Sequence, residues 1–314
     1  MVEDQRVGIS GIMRYWELLK VSNLTKYYMD QPAEVGLETI SLCNAKCTFC
    51  PYETLERKGD KMSGWLLDKL IEEMMDFETP FFVSPFKVNE PLLDKRFYDI
   101  CRTIEAATVA HLRIFSNGAA LVQRRIDEIA QLERVHHMVI SLNSHIPEEY
   151  EALMSMPFEK TARRLDNLHN QDFPHPVLLT CVGWPNKAFS WYCRNRWPKF
   201  KPQVVPKTSW LGYTDSQAQV VPDLPCHRWF ELSVMSSGVV SLCCQDGEGQ
   251  FPIGDVNKNT LLEVYNHPFY RERREQQLSR LEVDVCNTCT YGSVLPSMAR
   301  EVARQYESIC CNTP

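Results

Sequence analysis

Cys43, Cys47 and Cys50 stand in the run Cys43-Asn-Ala-Lys-Cys47-Thr-Phe-Cys50, a CxxxCxxC spacing. Three thiolates this close can ligate three irons of a [4Fe-4S] cluster and leave the fourth iron without a protein ligand. Bacterial ferredoxin runs have shorter spacing and structural zinc sites use paired CxxC knuckles, so neither pattern matches well. A second set follows far downstream: Cys226, then Gly238-x4-Cys243, then Cys286-Asn-Thr-Cys289. Four thiolates are enough to close every iron of another cubane, although a CxxC alone also fits zinc or a redox pair. Cys244 competes with Cys243 for its place, because a one-residue slip exchanges them. Cys310 and Cys311, near the end of the sequence, are read as exposed or incidental.

These residues must be held by a frame. The 314-residue chain, 44% hydrophobic and 24% charged, has the composition of an ordinary globular protein with room for a sizeable core. From residue 37 to about 206, short apolar runs alternate with amphipathic ones. Strands are predicted near 37–42, 80–87, 111–116, 136–142, 176–182 and 202–206, and helices near 64–77, 93–107, 121–132, 147–153, 158–170 and 187–196. Such alternation implies parallel strands with crossover helices. The expected class is α/β: a partial (β/α)6 TIM-like barrel with a small C-terminal β-hairpin/helix iron-sulfur domain. The expected divisions are an N-terminal helical cover (1–36), the barrel (37–206), a Pro-containing connector (207–225) and the cysteine-bearing module with a C-terminal helix (226–314). Within that module a hairpin spans Phe230 to Cys244 around Ser236-Ser-Gly238, and a helix is predicted near 260–276.

The triplet, with aromatic Phe49 before its last cysteine, resembles the radical SAM superfamily motif, and the resemblance extends over nearly the whole chain. It implies that the open iron chelates S-adenosylmethionine and that cleavage of the sulfonium gives a 5′-deoxyadenosyl radical. It also implies an external electron donor such as flavodoxin or ferredoxin. By the same resemblance Glu90, in Asn89-Glu90-Pro91, receives the ammonium of S-adenosylmethionine, with Asn89 where the family has glycine. Ser116 and Asn117 match the segment near the ribose and carboxylate, and Ser141 and Asn143 occupy a comparable polar strand end. Each also has a plainer reading, since Asn-Gly and Glu-Pro are common turn dipeptides. The second cysteine set is similar to the one-cluster "twitch" form of the SPASM appendage, with Cys226, Cys243, Cys286 and Cys289 as ligands.

Twitch enzymes acting on aminoglycosides and aminocyclitols include epimerases and dehydrogenases, and the resemblance implies a small carbohydrate substrate of that kind. A thiol that returns a hydrogen atom makes an epimerase; an auxiliary cluster that takes an electron makes a dehydrogenase. Cys181, in Val177-Leu-Leu-Thr-Cys181, is the first candidate donor if its side chain enters the barrel mouth, and otherwise packs as buried cysteine often does. Cys244 is the second; Cys101 and Cys193 fall on predicted helices and are read as core. Epimerisation is the expected reaction, with dehydrogenation as the alternative. Peptide modification is the more distant one, disfavoured because only 36 residues precede the first predicted strand. Asp246, Glu248 and Asp255, with Trp184, Trp191 and Trp210, are candidate substrate walls.

A net charge of −6 without a basic stripe argues against nucleic acid. No apolar run reaches about 18 residues and no export signal is legible, so neither a membrane nor secretion is expected. The expected location is cytoplasmic, where thirteen cysteines point to metal or redox use rather than disulfides.

Overall fold

Apolar residues at alternate positions make the strands, and in the computed structural model these are β1 (Glu34–Leu37), β2 (Phe82–Ser84), β3 (His111–Ser116), β4 (Val135–Ser141), β5 (Val177–Val182) and β6 (Lys201–Val205). The structure describes residues 24–183, 186–216, 220, 221, 223 and 225–291. The segments 1–23 and 292–314, which hold most of the N-terminal cover and the C-terminal helix expected above, lie outside the described residues, as does Trp184. The six strands are parallel neighbours in chain order. Helices Gly64–Met75, Phe97–Ala107, Gln123–Ala130, Pro147–Met154, Phe158–His169 and Lys187–Arg196 lie between them in sequence, close to the expected positions.

Val35, Leu37, Val83, Leu112, Ile114, Met138, Ile140 and Leu179 are all fully buried and occupy one face of the sheet. That face carries the helix layer: a side chain at Gly118 would press on both Ile140 and Thr161 of helix Phe158–His169. The opposite, concave face is partly polar. There Glu34 accepts from Ser84 and Arg113, each at 2.5 Å, and Phe86 stacks on Phe115 with centroids 5.0 Å apart.

Two boundaries differ from the sequence expectation. The first strand is Glu34–Leu37 and not 37–42, because the chain after Leu37 leaves the parallel sheet and pairs its backbone with residues 59–62, Ser41 N donating to Asp60 O at 2.8 Å and Met62 N to Thr39 O at 3.0 Å. The buried Glu38 carboxylate takes the guanidinium of Arg57, and Ser41 Oγ accepts from Asp60 N at 2.8 Å. The helix expected over 260–276 is two, Leu261–Tyr265 and Pro268–Glu275, since Pro268 supplies no N–H to continue the first.

The hairpin forms as β7 (Glu231–Val234) and β8 (Val239–Ser241), with an additional strand β9 (Pro252–Asp255). Its turn requires glycine: Gly238 has φ +91°, and a Cβ there would lie 2.2 Å from Asn257 Nδ2. β7 pairs in parallel with β1, so the nine strands form one sheet in the order β6-β5-β4-β3-β2-β1-β7-β8-β9. The second cysteine set is thereby anchored to the strand that leads into the first.

Candidate active site

The triplet loop is docked by backbone bonds onto the end of helix Pro147–Met154. Lys46 N donates to Met154 O at 3.1 Å and Thr48 N to Leu153 O at 2.9 Å. Cys47 Sγ touches Met154 Sδ at 3.4 Å, and the Trp210 indole donates to Phe49 O at 2.9 Å. Burial pushes the Cys43 thiol up to about 12 and Cys50 to about 11, and it raises Cys47 further still. Proximity of the thiols to one another adds to the rise at Cys43 and Cys47. The protein thus offers these thiolates too little positive charge to keep them ionised. Iron supplies that charge and deprotonates coordinating thiols, so the donor set fits a cluster. Among the described residues no three His, Cys, Asp or Glu side chains converge on one metal position. Each cluster ligand binds a different iron and needs no such convergence.

Beside this loop the structure brings together Glu90, Ser116 and Asn117. The Glu90 carboxylate accepts from Asn117 N at 2.7 Å, Ser116 Oγ at 3.0 Å and Leu92 N at 3.1 Å. Burial nevertheless prevails over these donors and raises its pKa to about 7. Asn117 Nδ2 donates to Asn44 Oδ1 at 2.7 Å and lies 4.0 Å from Cys43 Sγ, so this polar cluster abuts the triplet. Asn89 accepts from Lys87 N at 2.8 Å, and its buried Nδ2 has no partner among the described residues.

Asn143, in the left-handed region at φ 62°, ties two strand ends together. Its Oδ1 accepts from Val182 N at 3.0 Å and its Nδ2 lies 3.0 Å from Met154 Sδ. Ser141, half-buried, ends β4 opposite Thr180 on the concave face. Of the two readings left open for Cys181, entry into the barrel mouth or packing, its placement matches packing. It lies two residues after Leu179, on the helix-facing side, with Cys193 of helix Lys187–Arg196 nearby. Its S–H donates to Asn143 O at 2.9 Å, and burial pushes the thiol up to about 11.

The second set lines a cavity whose wall includes Cys226, Cys243, Cys286 and Cys289. Cys244 is not on that wall. Burial raises Cys226 to about 12 and raises Cys243, Cys286 and Cys289 as well; Arg280 partly offsets it at Cys226, Cys286 and Cys289. Four thiols stand about one cavity, and burial raises them even with Arg228 and Arg280 on the same wall, so the donor set fits a cluster as the first does. Val285, immediately before the CxxC, is held at φ 71°, a strained conformation for a β-branched residue that costs on the order of 1–3 kcal/mol.

The expected substrate walls are mostly engaged locally. Asp246 is fully buried and caps Gln250 N and Phe251 N, while Glu248 accepts from Glu56 N and Arg57 N. Asp255 pairs with Lys258, and Trp191 is 68% exposed on an outer helix. Sequence reasoning missed Lys87, which is buried against the hairpin. Its signal was a lone cation in the apolar run Phe81-Phe-Val-Ser-Pro-Phe-Lys87-Val88.

A partial parallel barrel with three thiols in the loop after its first strand and four more about a cavity beside that strand has the donor sets of an iron-sulfur protein. Residues 37–189 match the Radical SAM superfamily, and residues 226–290 match SPASM, an iron-sulfur cluster-binding domain. The chain is a radical SAM enzyme with a C-terminal auxiliary-cluster domain. Its cofactors are a [4Fe-4S] cluster that binds S-adenosylmethionine and further iron-sulfur in the SPASM domain. No curated protein sequence matched.

Among solved structures, BtrN in complex with AdoMet and 2-DOIA is similar at 16% identity and TM-score 0.60, over 85% of this chain and 96% of that one. SuiB of Streptococcus suis bound to S-adenosylmethionine is similar at 15% identity and TM-score 0.64, over 86% and 73%. Native anSMEcpe with bound AdoMet is similar at 12% identity and TM-score 0.59, over 88% and 96%. At these identities the likeness is one of fold. Among the described residues no helix is long and apolar enough to cross a membrane.

Proposed function

We propose that the enzyme oxidises a carbinol carbon of a small polar substrate, of the aminocyclitol or amino sugar kind, to a ketone. The bound cofactors supply a carbon radical that takes one hydrogen atom and an auxiliary centre that takes one electron; the hydroxyl proton leaves to water, completing a two-electron oxidation. In this reading Cys43, Cys47 and Cys50 hold the first cluster, with Phe49 beside them, and an external protein of the flavodoxin or ferredoxin kind reduces it. Glu90, oriented by Ser116 and Asn117, receives the ammonium of S-adenosylmethionine as a charge-assisted pair in a dry pocket. Asn143 and Ser141 form the polar strand end next to it. Cys226, Cys243, Cys286 and Cys289 hold the auxiliary cluster.

The orientation of Cys181 carries the choice of oxidation over epimerisation. Its S–H is turned to the Asn143 carbonyl on the helix-facing side of β5, which leaves that thiol badly placed to return a hydrogen atom. The complex of BtrN with 2-DOIA supports the substrate class by likeness of fold. Turnover in deuterated water with an aminocyclitol substrate is expected to give a ketone; an inverted alcohol carrying solvent deuterium would overturn the reading. Cys181→Ala is expected to leave rate and product unchanged and to cost about 1 kcal/mol of stability by thermal unfolding. Loss of product in that variant would restore Cys181 as a donor.

Epimerisation keeps one supporting observation: Cys244 is half-buried and off the wall of the four-thiol cavity. Were Cys244 the donor, Cys244→Ala would convert an inverting enzyme into one that releases oxidised product.

A further inference from the structure

Lys87 follows β2 and is 1% exposed, yet it makes no ion pair among the described residues. Its Nζ donates to Ser241 Oγ at 2.6 Å, Ser233 Oγ at 3.0 Å and Cys243 O at 3.3 Å. Ser233 and Ser241 are register partners on β7 and β8, so the side chain spans β1 to reach the hairpin. On β1 the register partner of Ser233 is Gly36, which puts no side chain between the two strands at that level. The Ser241 hydroxyl itself donates to Cys243 O at 3.1 Å or Ser233 O at 3.3 Å, which leaves its lone pairs for the amine. Three acceptors around one nitrogen match the three donors of an ammonium.

A buried cation without a carboxylate partner is costly unless some other negative group offsets it. Burial lowers the Lys87 pKa, and Glu38, Asp246, Cys244 and Cys243 oppose it from beyond ion-pair distance. Lys87 Nζ reaches the carbonyl of Cys243, whose side chain lines the four-thiol cavity together with Arg228 and Arg280. An iron-sulfur cluster with four thiolate ligands carries net negative charge, and its potential is set by charge and hydrogen bonding around it.

We propose that Lys87 is a positioning residue for the auxiliary centre: it holds the backbone of Cys243 and places a fixed positive charge beside it, so that the centre accepts an electron more readily. The inference rests on the reading of Cys243 as a ligand and of the auxiliary centre as a one-electron acceptor. The same segment carries Glu90, and Lys87 N is bonded to Asn89 Oδ1. One stretch of backbone would thus serve both cluster sites.

The test is a redox titration followed by electron paramagnetic resonance, on full-length chain carrying C43A, C47A and C50A so that only the auxiliary centre titrates. Lys87→Met is expected to make one-electron reduction at least about tenfold less favourable, a midpoint about 59 mV lower. Lys87→Arg, which keeps the charge, is expected to recover most of the shift. An unchanged midpoint in Lys87→Met, at unchanged iron and sulfide content, overturns the proposal.

Should Lys87→Met hold too little iron to titrate, Lys87→Gln is read in its place with the same expectation and the same overturning result. If neither uncharged variant keeps iron while Lys87→Arg does, the positioning role stands. If Lys87→Arg loses iron as they do, charge is not what Lys87 contributes, and the proposal fails. Absence of auxiliary iron before any change at Lys87 would overturn the assignment of the four thiols instead, and the first iron analysis detects it.

Discussion

Replacing Cys43, Cys47 and Cys50 together with alanine is expected to reduce cleavage of S-adenosylmethionine to the assay background while roughly half of the iron stays bound. The triplet lies in a loop held by backbone bonds to helix Pro147–Met154, not in the sheet, so truncating the three side chains leaves the barrel strands and their register in place. The second set lies on the other side of β1, tied to the sheet by β7. Iron and sulfide should therefore fall from roughly eight to roughly four of each per chain, the loss of one cubane of two. Formation of 5′-deoxyadenosine with dithionite is the activity to follow. Residual cleavage well above background would mean that the iron holding S-adenosylmethionine is elsewhere, and loss of all iron would mean that the two sets do not load independently.

Glu90→Gln carries the second large effect. The carboxylate takes hydrogen bonds from Asn117 N, Ser116 Oγ and Leu92 N. An amide would turn an NH2 group toward one of those donors and would lose the charge that pairs with an ammonium. Hydrogen bonds to charged groups contribute about 1.5–3 kcal/mol, so binding of S-adenosylmethionine should weaken roughly 10- to 150-fold, measured by calorimetry on anaerobic protein. A variant that binds as tightly as the parent would remove Glu90 from the site.

The same residue gives the pH dependence a sign. Burial raises its pKa to about 7, above the value near 4.3 of an unfolded glutamate, so the folded chain binds this proton more tightly than the unfolded one. The stability that this proton contributes is fully present below about pH 4.3 and is lost as pH rises through about 7. Ligand binding runs the other way, because the ammonium pairs with the carboxylate. Affinity for S-adenosylmethionine should climb with pH up to about 7 and level off above it, and Glu90→Gln should flatten that slope.

Much of this frame was legible in the sequence. The six strands and the six helices between them follow from hydrophobic period, and β3 and helix Lys187–Arg196 fall at the expected residues. The triplet and the hairpin turn at Gly238 were legible because metal-ligand spacing and positive φ restrict residue choice. What escaped depends on partners distant in the chain. Glu38 and Ser41 look like part of a strand until Arg57 and Asp60 draw them out of it. The pairing of β7 with β1, which merges the hairpin with the barrel sheet, leaves no local trace.

The facing of Cys181 escaped because its strand could be placed but not which face each residue takes, and a shift of one residue reverses every face. Cys243 and Cys244 presented the same ambiguity: Cys243 is on the cavity wall and Cys244 is off it, yet Cys244 acts electrostatically on Cys289. Lys87 was passed over because a single cation in an apolar run does not reveal its three acceptors on β7, β8 and the following loop.

The central claim is that one iron of the first cluster lacks a protein ligand and takes S-adenosylmethionine. Electron paramagnetic resonance of the dithionite-reduced, anaerobically reconstituted chain, recorded with and without that cofactor, tests it most directly. The account predicts that addition shifts the signal of one cluster and leaves the signal of the auxiliary cluster in place. Spectra that do not change on addition would contradict it.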